Sequence, residues 1–168
     1  MADDPTTVFI YTGQLTSCIP KNITHVRVDS TVKVIAEGAF LSCEELESVE
    51  LNEGLESVGK MTFERCRSLV QITIPASVKV IGSKAFMCCS RLVNVQLNEG
   101  LVSIESDAFQ LCPRLKGILL PSTVKMVGQG AFHYCCNLVN VQLNEELKSI
   151  GADVFQGCNS LQRIVIPS

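Results

Sequence analysis

The sequence is poor in the residues on which most active sites, metal sites and membrane segments depend. It has no tryptophan and only two histidines among 168 residues. It contains no Cys-x-x-Cys pair, the usual spacing of zinc-binding thiolates, and no apolar run near the roughly 20 residues of a spanning helix. The net charge of −3 lacks the basic excess typical of nucleic-acid binding. These absences predict no catalytic centre, no metal or cofactor, no membrane span and no nucleic-acid partner.

The amino terminus shows no basic segment followed by an apolar one, so no signal peptide is visible. This leaves the compartment unknown, with a slight preference for the cytoplasm. Nine cysteines would indicate disulfides in a small secreted chain. Nine is an odd number, however, and six of the nine obey a spacing rule that has nothing to do with pairing.

Three residue types recur with a period of 23. The phenylalanines are Phe40, Phe63, Phe86, Phe109, Phe132 and Phe155. The cysteines are Cys43, Cys66, Cys89, Cys112, Cys135 and Cys158, and the leucines are Leu46, Leu69, Leu92, Leu115, Leu138 and Leu161. A fixed period of this size indicates a repeat architecture, in which each 23-residue unit, or rung, stacks on the one before it.

Within each rung, apolar and polar residues first alternate, as in Leu69, Ile72 and Ile74, which predicts a strand with one buried face. The seven predicted strands cover residues 23–28, 46–51, 69–74, 92–97, 115–120, 138–143 and 161–166. The later segment, Ala85-Phe86 with Cys89, has i, i+3 and i+4 spacing, which favours a short helical turn. The predicted class is therefore α/β: a solenoid with a parallel sheet of about seven strands and short helical or irregular segments opposite.

The Ala-Phe-x-x-Cys segment in a 23-residue unit resembles the BspA-like leucine-rich repeats, over about residues 23–168. The resemblance implies a leucine-rich-repeat solenoid but no specific function, in a class that includes surface and secreted proteins that contact other proteins or host cells. We assign residues 23–168 to the repeat domain and residues 1–22 to an N-terminal β cap, with a strand at residues 8–11. The final unit lacks a cap, which makes edge-to-edge self-association through Leu161, Ile164 and Ile166 an open possibility.

Three local patterns have both a chemical and a structural interpretation. The cysteine column predicts core packing, because buried free cysteine behaves as a small hydrophobe. Residues 54–60 match the start of a phosphate loop, but Met61 stands where a hydroxyl is needed and Leu55 occupies a core slot. His133 lies near Cys135 without a third residue to orient it. We therefore predict that the chain is not an enzyme.

The outward side chains of the predicted strands form the candidate binding surface, here named the platform. The first column of the platform is His25, Ser48, Gln71, Asn94, Gly117, Asn140 and Arg163. The second column is Arg27, Glu50, Thr73, Gln96, Leu119, Gln142 and Val165. We predict a protein–protein interaction scaffold that binds through this platform, with Leu119 and Gln96 near the centre. The alternatives are a cell-surface adhesin or glycan-binding protein, and a self-assembling structural solenoid.

Overall fold

The computed structural model describes residues 8–14 and 19–165. Fourteen short strands follow one another along these residues. They are β1 (Val8–Tyr11), β2 (His25–Val28), β3 (Val34–Ile35), β4 (Ser48–Glu50), β5 (Ser57–Val58), β6 (Gln71–Thr73), β7 (Val80–Ile81), β8 (Asn94–Gln96), β9 (Ser103–Ile104), β10 (Gly117–Leu119), β11 (Met126–Val127), β12 (Asn140–Gln142), β13 (Ser149–Ile150) and β14 (Arg163–Val165).

The strands form two faces of a parallel solenoid. On the first face the hydrogen-bonded groups are β1-β2-β4, β6-β8 and β10-β12-β14, and these groups lie side by side. The second face is a six-stranded sheet in the order β13-β11-β9-β7-β5-β3. Within the repeat, each residue pairs with the one 23 positions later, as Gln71 does with Asn94. The predicted parallel stack is confirmed, and a second sheet of two-residue strands accompanies it.

The α/β class and the helical turn are wrong, because no helix occurs among the residues that the structure describes. The Ala-Phe-x-x-Cys side is a run of turns in which two residues per rung have positive φ. In the third rung these are Lys84, with φ of 59°, and Cys88, with φ of 62°. A helix needs successive right-handed residues, so left-handed residues four apart prevent one from forming.

Alternate amides of these turns donate hydrogen bonds to the next rung instead of back along the chain. Phe63 N–H donates to the Ala85 carbonyl at 2.7 Å, and Arg65 N–H donates to the Met87 carbonyl at 2.8 Å. The left-handed conformations therefore turn the third side of the solenoid into another inter-rung hydrogen-bond ladder. This arrangement satisfies the backbone groups that a helix would have satisfied internally.

The phenylalanine column forms the centre of the core. Consecutive rings from Phe40 to Phe155 are stacked with centroids 5.1 to 5.8 Å apart. At the amino end the ring of Tyr11 packs edge-on against Phe40 with a centroid distance of 5.2 Å. The repeat period therefore places equivalent apolar side chains directly over one another, as predicted.

The two ends differ in how they close the core. β1 pairs in parallel with β2, and the hydroxyl of Tyr11 accepts a hydrogen bond from the Ala36 N–H at 3.3 Å. At the other end, β14 leaves Ile164 41% exposed. Ile166, which belongs to the predicted self-association edge, lies outside the described residues.

Candidate functional site

The cysteine column is a row of buried hydrogen-bond donors. The thiols of Cys89, Cys112 and Cys135 each donate to the carbonyl of the phenylalanine 26 residues earlier, at 3.2 Å. Cys66 and Cys158 make the same contact at 3.3 and 3.1 Å. The sequence analysis predicted packing in these slots but missed the hydrogen bond, which depends on how successive rungs are offset.

Burial keeps these thiols protonated. It raises the pKa of Cys135 to about 12 and the pKa values of Cys89 and Cys112 well above their usual value. All eight cysteines in the described part of the chain are free. A protonated, inward-facing thiol is neither a nucleophile nor a metal ligand. No group of three potential metal ligands occurs within residues 8–14 and 19–165.

The segment that matches a phosphate loop is an ordinary part of a rung. The Gly59 N–H donates to the Ile35 carbonyl at 3.0 Å, and Leu55 and Val58 are buried. A phosphate loop needs backbone amides that are free to face the phosphate. Here the amide of Gly59 is already engaged in the inter-rung ladder.

Neither histidine is hydrogen-bonded to a cysteine that could act as a nucleophile with it in catalysis, among the residues that the structure describes. His133 lies against Tyr134, with ring centroids 4.3 Å apart, and its Nδ1 is 3.0 Å from Nε2 of Gln110. Cys135, its neighbour in sequence, is buried and donates into the core. His25 contacts the hydroxyl of Thr24 at 2.8 Å. Of these contacts, only the one between His133 and Gln110 joins two rungs, and Nε2 of His133 is buried without a hydrogen-bond partner on any residue that the structure describes.

All fourteen platform residues lie on the first face, as the strand alternation predicts. Ten are exposed, and the remaining four, His25, Ser48, Gly117 and Val165, are half-buried. The strand register aligns Gly117, Asn140 and Arg163 in one column. Leu119 aligns with Gln142 and Val165 in the other. The geometry of the platform was therefore predictable from two features of the sequence. Side chains alternate between the two faces along a strand, and equivalent residues of neighbouring strands are 23 positions apart.

Two grooves of the platform meet at Leu119. One has a volume of about 670 Å³ and lies over Gly117, between Asn94 and Asn140. The other, of about 490 Å³, lies at the carboxyl ends of the strands. Leu119 and Gln142 line both grooves, and Leu119 is 59% exposed. An added Cβ at Gly117 would find only the Asn140 carbonyl oxygen within 4 Å, at 3.5 Å, so the missing side chain creates the first groove.

Sequence reasoning missed part of this surface. β1 adds the exposed side chains of Val8 and Ile10 beside β2, because β1 pairs in parallel with β2. Arg27 and Glu50 form an ion pair at 2.6 Å. The hydrogen bond from Arg27 lowers the pKa of Glu50, and hydrogen bonds from Ser122 lower the pKa of the Glu99 carboxyl.

The sequence matches the BspA type leucine-rich repeat region in six copies, over residues 16–138 and 102–168. Among solved structures, the T. pallidum leucine-rich repeat protein TpLRR is 32% identical with a TM-score of 0.80, over 95% of this chain and 79% of its own. Pneumococcal vaccine antigen PcpA is 20% identical with a TM-score of 0.62, over 95% of this chain and 54% of its own. A search of curated proteins found no match.

A leucine-rich cell surface protein from Faecalibacterium prausnitzii is 24% identical with a TM-score of 0.62, over 94% of this chain and 46% of its own. The chain thus spans about half of this protein and of PcpA, and both show a likeness of fold. The description of a cell surface protein gives no support to the cytoplasmic expectation. Among the residues that the structure describes, no helix has the length and apolar character needed to cross a bilayer.

Proposed function

This chain belongs to the BspA-type leucine-rich repeat family, and from that premise we propose that it is a non-catalytic scaffold that binds a protein partner through the platform. The observation that carries the proposal is the groove pair around Leu119, an exposed apolar side chain set among exposed amides. Apolar centres with polar surroundings are typical of protein interfaces. The inward residues support the rungs, so the platform side chains are free to recognise a partner.

The proposal is tested by changing the centre of the platform without changing the core. The triple substitution Gln96→Lys, Leu119→Lys and Gln142→Lys places three cations on an exposed surface, so folding should be unaffected. We expect a partner captured by the wild-type chain from a lysate of its native cell to be lost, as measured by quantitative mass spectrometry.

The matched control is Met126→Lys, which changes a side chain that is 46% exposed on the second face. It should leave capture unchanged. A second variant, Gly117→Arg, extends a side chain into the groove between Asn94 and Asn140, and its Cβ would make only an ordinary contact of 3.5 Å with the Asn140 carbonyl oxygen. If the triple variant and Gly117→Arg capture the same partner as the wild type, the platform is not the binding surface.

Five exposed amides favour a glycan-binding adhesin as a second candidate. They are Gln71, Asn94, Gln96, Asn140 and Gln142, and amides both donate to and accept from sugar hydroxyls. Binding to an array of glycans that is lost in Asn94→Ala with Asn140→Ala, but kept in Leu119→Lys, would support this candidate over the protein scaffold.

The exposed side chains of β13 and β14 favour a third candidate, a self-assembling solenoid. Ile150 is 47% exposed and Ile164 is 41% exposed, and sheet edges pair readily with other chains. Light scattering after size exclusion measures the mass directly. A wild-type oligomer that becomes a monomer in Ile150→Lys with Ile164→Lys supports assembly, and a wild-type monomer at all concentrations argues against it.

A further inference from the structure

We propose that the two grooves at Leu119 form one bipolar binding site for an extended segment of a protein partner, with an apolar side chain at its centre, basic residues at one end and acidic residues at the other. This inference rests on the proposed function and specifies the chemistry of the partner. It is carried by the distribution of charge around the two grooves.

The charged side chains that line the groove at the amino ends of the strands are both cations. Lys116 and Arg163 both line it and both are exposed, and no carboxylate is among its lining residues. Lys116 immediately precedes β10, and Arg163 begins β14. Neither side chain takes part in the ion pairs found among the described residues. This end of the site can therefore pair with carboxylates of a partner.

The groove at the carboxyl ends has the opposite sign. Glu99, Glu145 and Glu146 line it, and no lysine or arginine is among its lining residues. The Glu99 carboxylate accepts hydrogen bonds from the backbone N–H and the hydroxyl of Ser122, at 3.1 and 2.8 Å, which hold it at the rim. Lys125 immediately precedes β11 of the second face and lines neither groove. This end of the site can therefore pair with lysine or arginine of a partner.

Leu119 lies between the two charged ends. It lines both grooves, is 59% exposed and aligns with Gln142 on the neighbouring strand. From Lys116 to Pro121, where the turn after β10 begins, the chain advances five residues, which is at most on the order of 17 Å at the rise of a strand. An extended segment of about six residues spans that distance, with its central side chain over Leu119.

The opposite charges of the two grooves favour one class of partner over the others. A nucleic acid or an acidic lipid surface would be attracted to Lys116 but repelled by the three glutamates. A neutral glycan would gain nothing from either charged end. A protein segment that carries both signs is the ligand that satisfies the whole site, and complementary charge gives specificity to such an interface.

The test uses four fluorescein-labelled synthetic peptides of about eight residues and fluorescence anisotropy against the full chain. The first peptide has two lysines at one end, a central leucine and two glutamates at the other end. The second and third replace the ends with lysines only or glutamates only. The fourth keeps both signs but has alanine at the centre. An extended peptide can lie parallel or antiparallel to β10. The test therefore does not depend on whether the lysines are at the amino or the carboxyl end of the peptide.

We expect the bipolar leucine peptide to bind up to about fivefold more tightly than each peptide of one sign, since an exposed ion pair contributes up to about 1 kcal/mol. It should also bind more tightly than the alanine peptide, which lacks the apolar contact with Leu119. Added salt should remove the difference between the bipolar leucine peptide and the two peptides of one sign, because it screens exposed charges. In the variant Glu145→Lys with Glu146→Lys, the preference should shift to the peptide with glutamates at both ends. That shift cannot arise from loss of folding, because the variant must bind to show it.

Equal affinities for the four peptides, or no binding by any, would overturn the bipolar site. The proposed function is judged separately by capture of the natural partner. If Leu119→Lys abolishes that capture while the peptides show no charge preference, the platform is the binding surface and only the bipolar chemistry is wrong. If capture also survives Leu119→Lys and Gly117→Arg, both proposals fail.

Discussion

The buried cysteines of the repeat combine core packing with a hydrogen bond. In the column from Cys66 to Cys158 the thiol donates to the carbonyl of the phenylalanine 26 residues earlier. The Phe86 carbonyl, for example, accepts from both Cys89 N–H and Cys112 Sγ, whereas Cys43 lies 4.0 Å from the Pro20 carbonyl. Alanine in this slot would lose the sulfur and the hydrogen bond. Serine would keep a donor but add a more strongly hydrated group to an apolar core. Cysteine satisfies both demands, which gives a physical reason for its regular spacing.

The raised thiol pKa values predict that the protein loses stability in alkaline solution. Above pH 9, the usual thiol value, the unfolded chain releases protons that the folded chain retains. The free energy of unfolding is therefore unaffected by these groups below about pH 9 and falls above it, by about 1.4 kcal/mol per pH unit for each thiol. For Cys135 the fall continues to its folded pKa of about 12. Urea unfolding at pH 8 and pH 10 measures the effect.

The thiol contribution is isolated by comparing two core substitutions. Cys112→Ala removes one buried thiol and should lose less stability between pH 8 and pH 10 than the wild type does. Val124→Ala removes buried atoms but no titrating group, since Val124 is fully buried. It should fall as steeply as the wild type. Parallel curves for Cys112→Ala and the wild type would show that this thiol does not couple pH to folding.

Among the elements, the turns of the third side take a conformation that inter-rung contacts stabilise. A free peptide with the Ala-Phe-x-x-Cys spacing has apolar residues on one side of a helix, and that spacing was the basis for predicting one. In the stack, however, amides such as those of Phe63 and Arg65 donate to the next rung. Many such bonds outweigh the cost of about 1–2 kcal/mol for each non-glycine residue in the left-handed region.

Substitutions at three glycines distinguish the cost of a left-handed backbone from the cost of a steric clash. Gly38 has a φ of 62° and open space around it, with the nearest atom 3.8 Å from an added Cβ. Gly82 would place its Cβ 2.8 Å from the backbone of Gly59, and Gly117 has neither problem. We expect Gly38→Ala to cost about 1 kcal/mol and Gly82→Ala about 2 kcal/mol or more. Gly117→Ala should stabilise the fold by about 0.5 kcal/mol.

The urea concentration at the midpoint of unfolding measures the change in stability of each variant, provided that the dependence of the free energy of unfolding on urea concentration is unchanged. Gly117→Ala is the matched control, because it adds the same methyl group to a strand of the same solenoid. A cost for Gly82→Ala no larger than that for Gly117→Ala would contradict the close approach of successive rungs at this corner.

At the scale of the whole molecule, the rungs alternate in pairs. Asn52 donates from Nδ2 to the carbonyls of Asp29 and Val32, at 2.8 and 3.1 Å. Asn144, two repeat pairs later, donates in the same way to the carbonyls of Pro121 and Val124, at 2.6 and 3.0 Å. Asn98, at the equivalent position between them, instead accepts a hydrogen bond from Nε2 of Gln96 at 3.3 Å. The other two strands between them carry proline at this position, Pro75 and Pro121. Two rungs, or 46 residues, therefore form the full period of the sequence, and the side-chain hydrogen bonds follow it at Asn52 and Asn144.

This period predicts which deletions the solenoid accepts. Removing residues 69–114 deletes 46 of 168 residues and joins Ser68 to Leu115, which occupies the same slot as Leu69. The shortened chain should fold cooperatively, with lower stability and an unfolding slope in urea reduced by about a quarter, because the slope follows the surface exposed. Circular dichroism during urea titration measures both quantities.

The control removes residues 69–103, which is one and a half rungs. It joins the turn at Ser68 directly to Ile104 of the second face, so the joined rung has no first-face strand, and the chain should not unfold in one cooperative transition. If both deletions behave alike, the stacking of equivalent positions is not what stabilises the molecule.

The period of 23, the inward residues and the outward platform were all predictable from the sequence, because they depend only on spacing along one chain and on the alternation of a strand. The stacked phenylalanines and the position of Leu119 beside Gln142 follow from the same two periods. What depended on the tertiary structure was everything set by the contact of one rung with the next. This includes the left-handed turns in place of a helix, the second sheet, the thiol hydrogen bonds and the entry of β1 into the first face. The opposite charges of the two grooves belong to this group as well, because residues that are distant in sequence acquire a common surface only when the rungs are stacked.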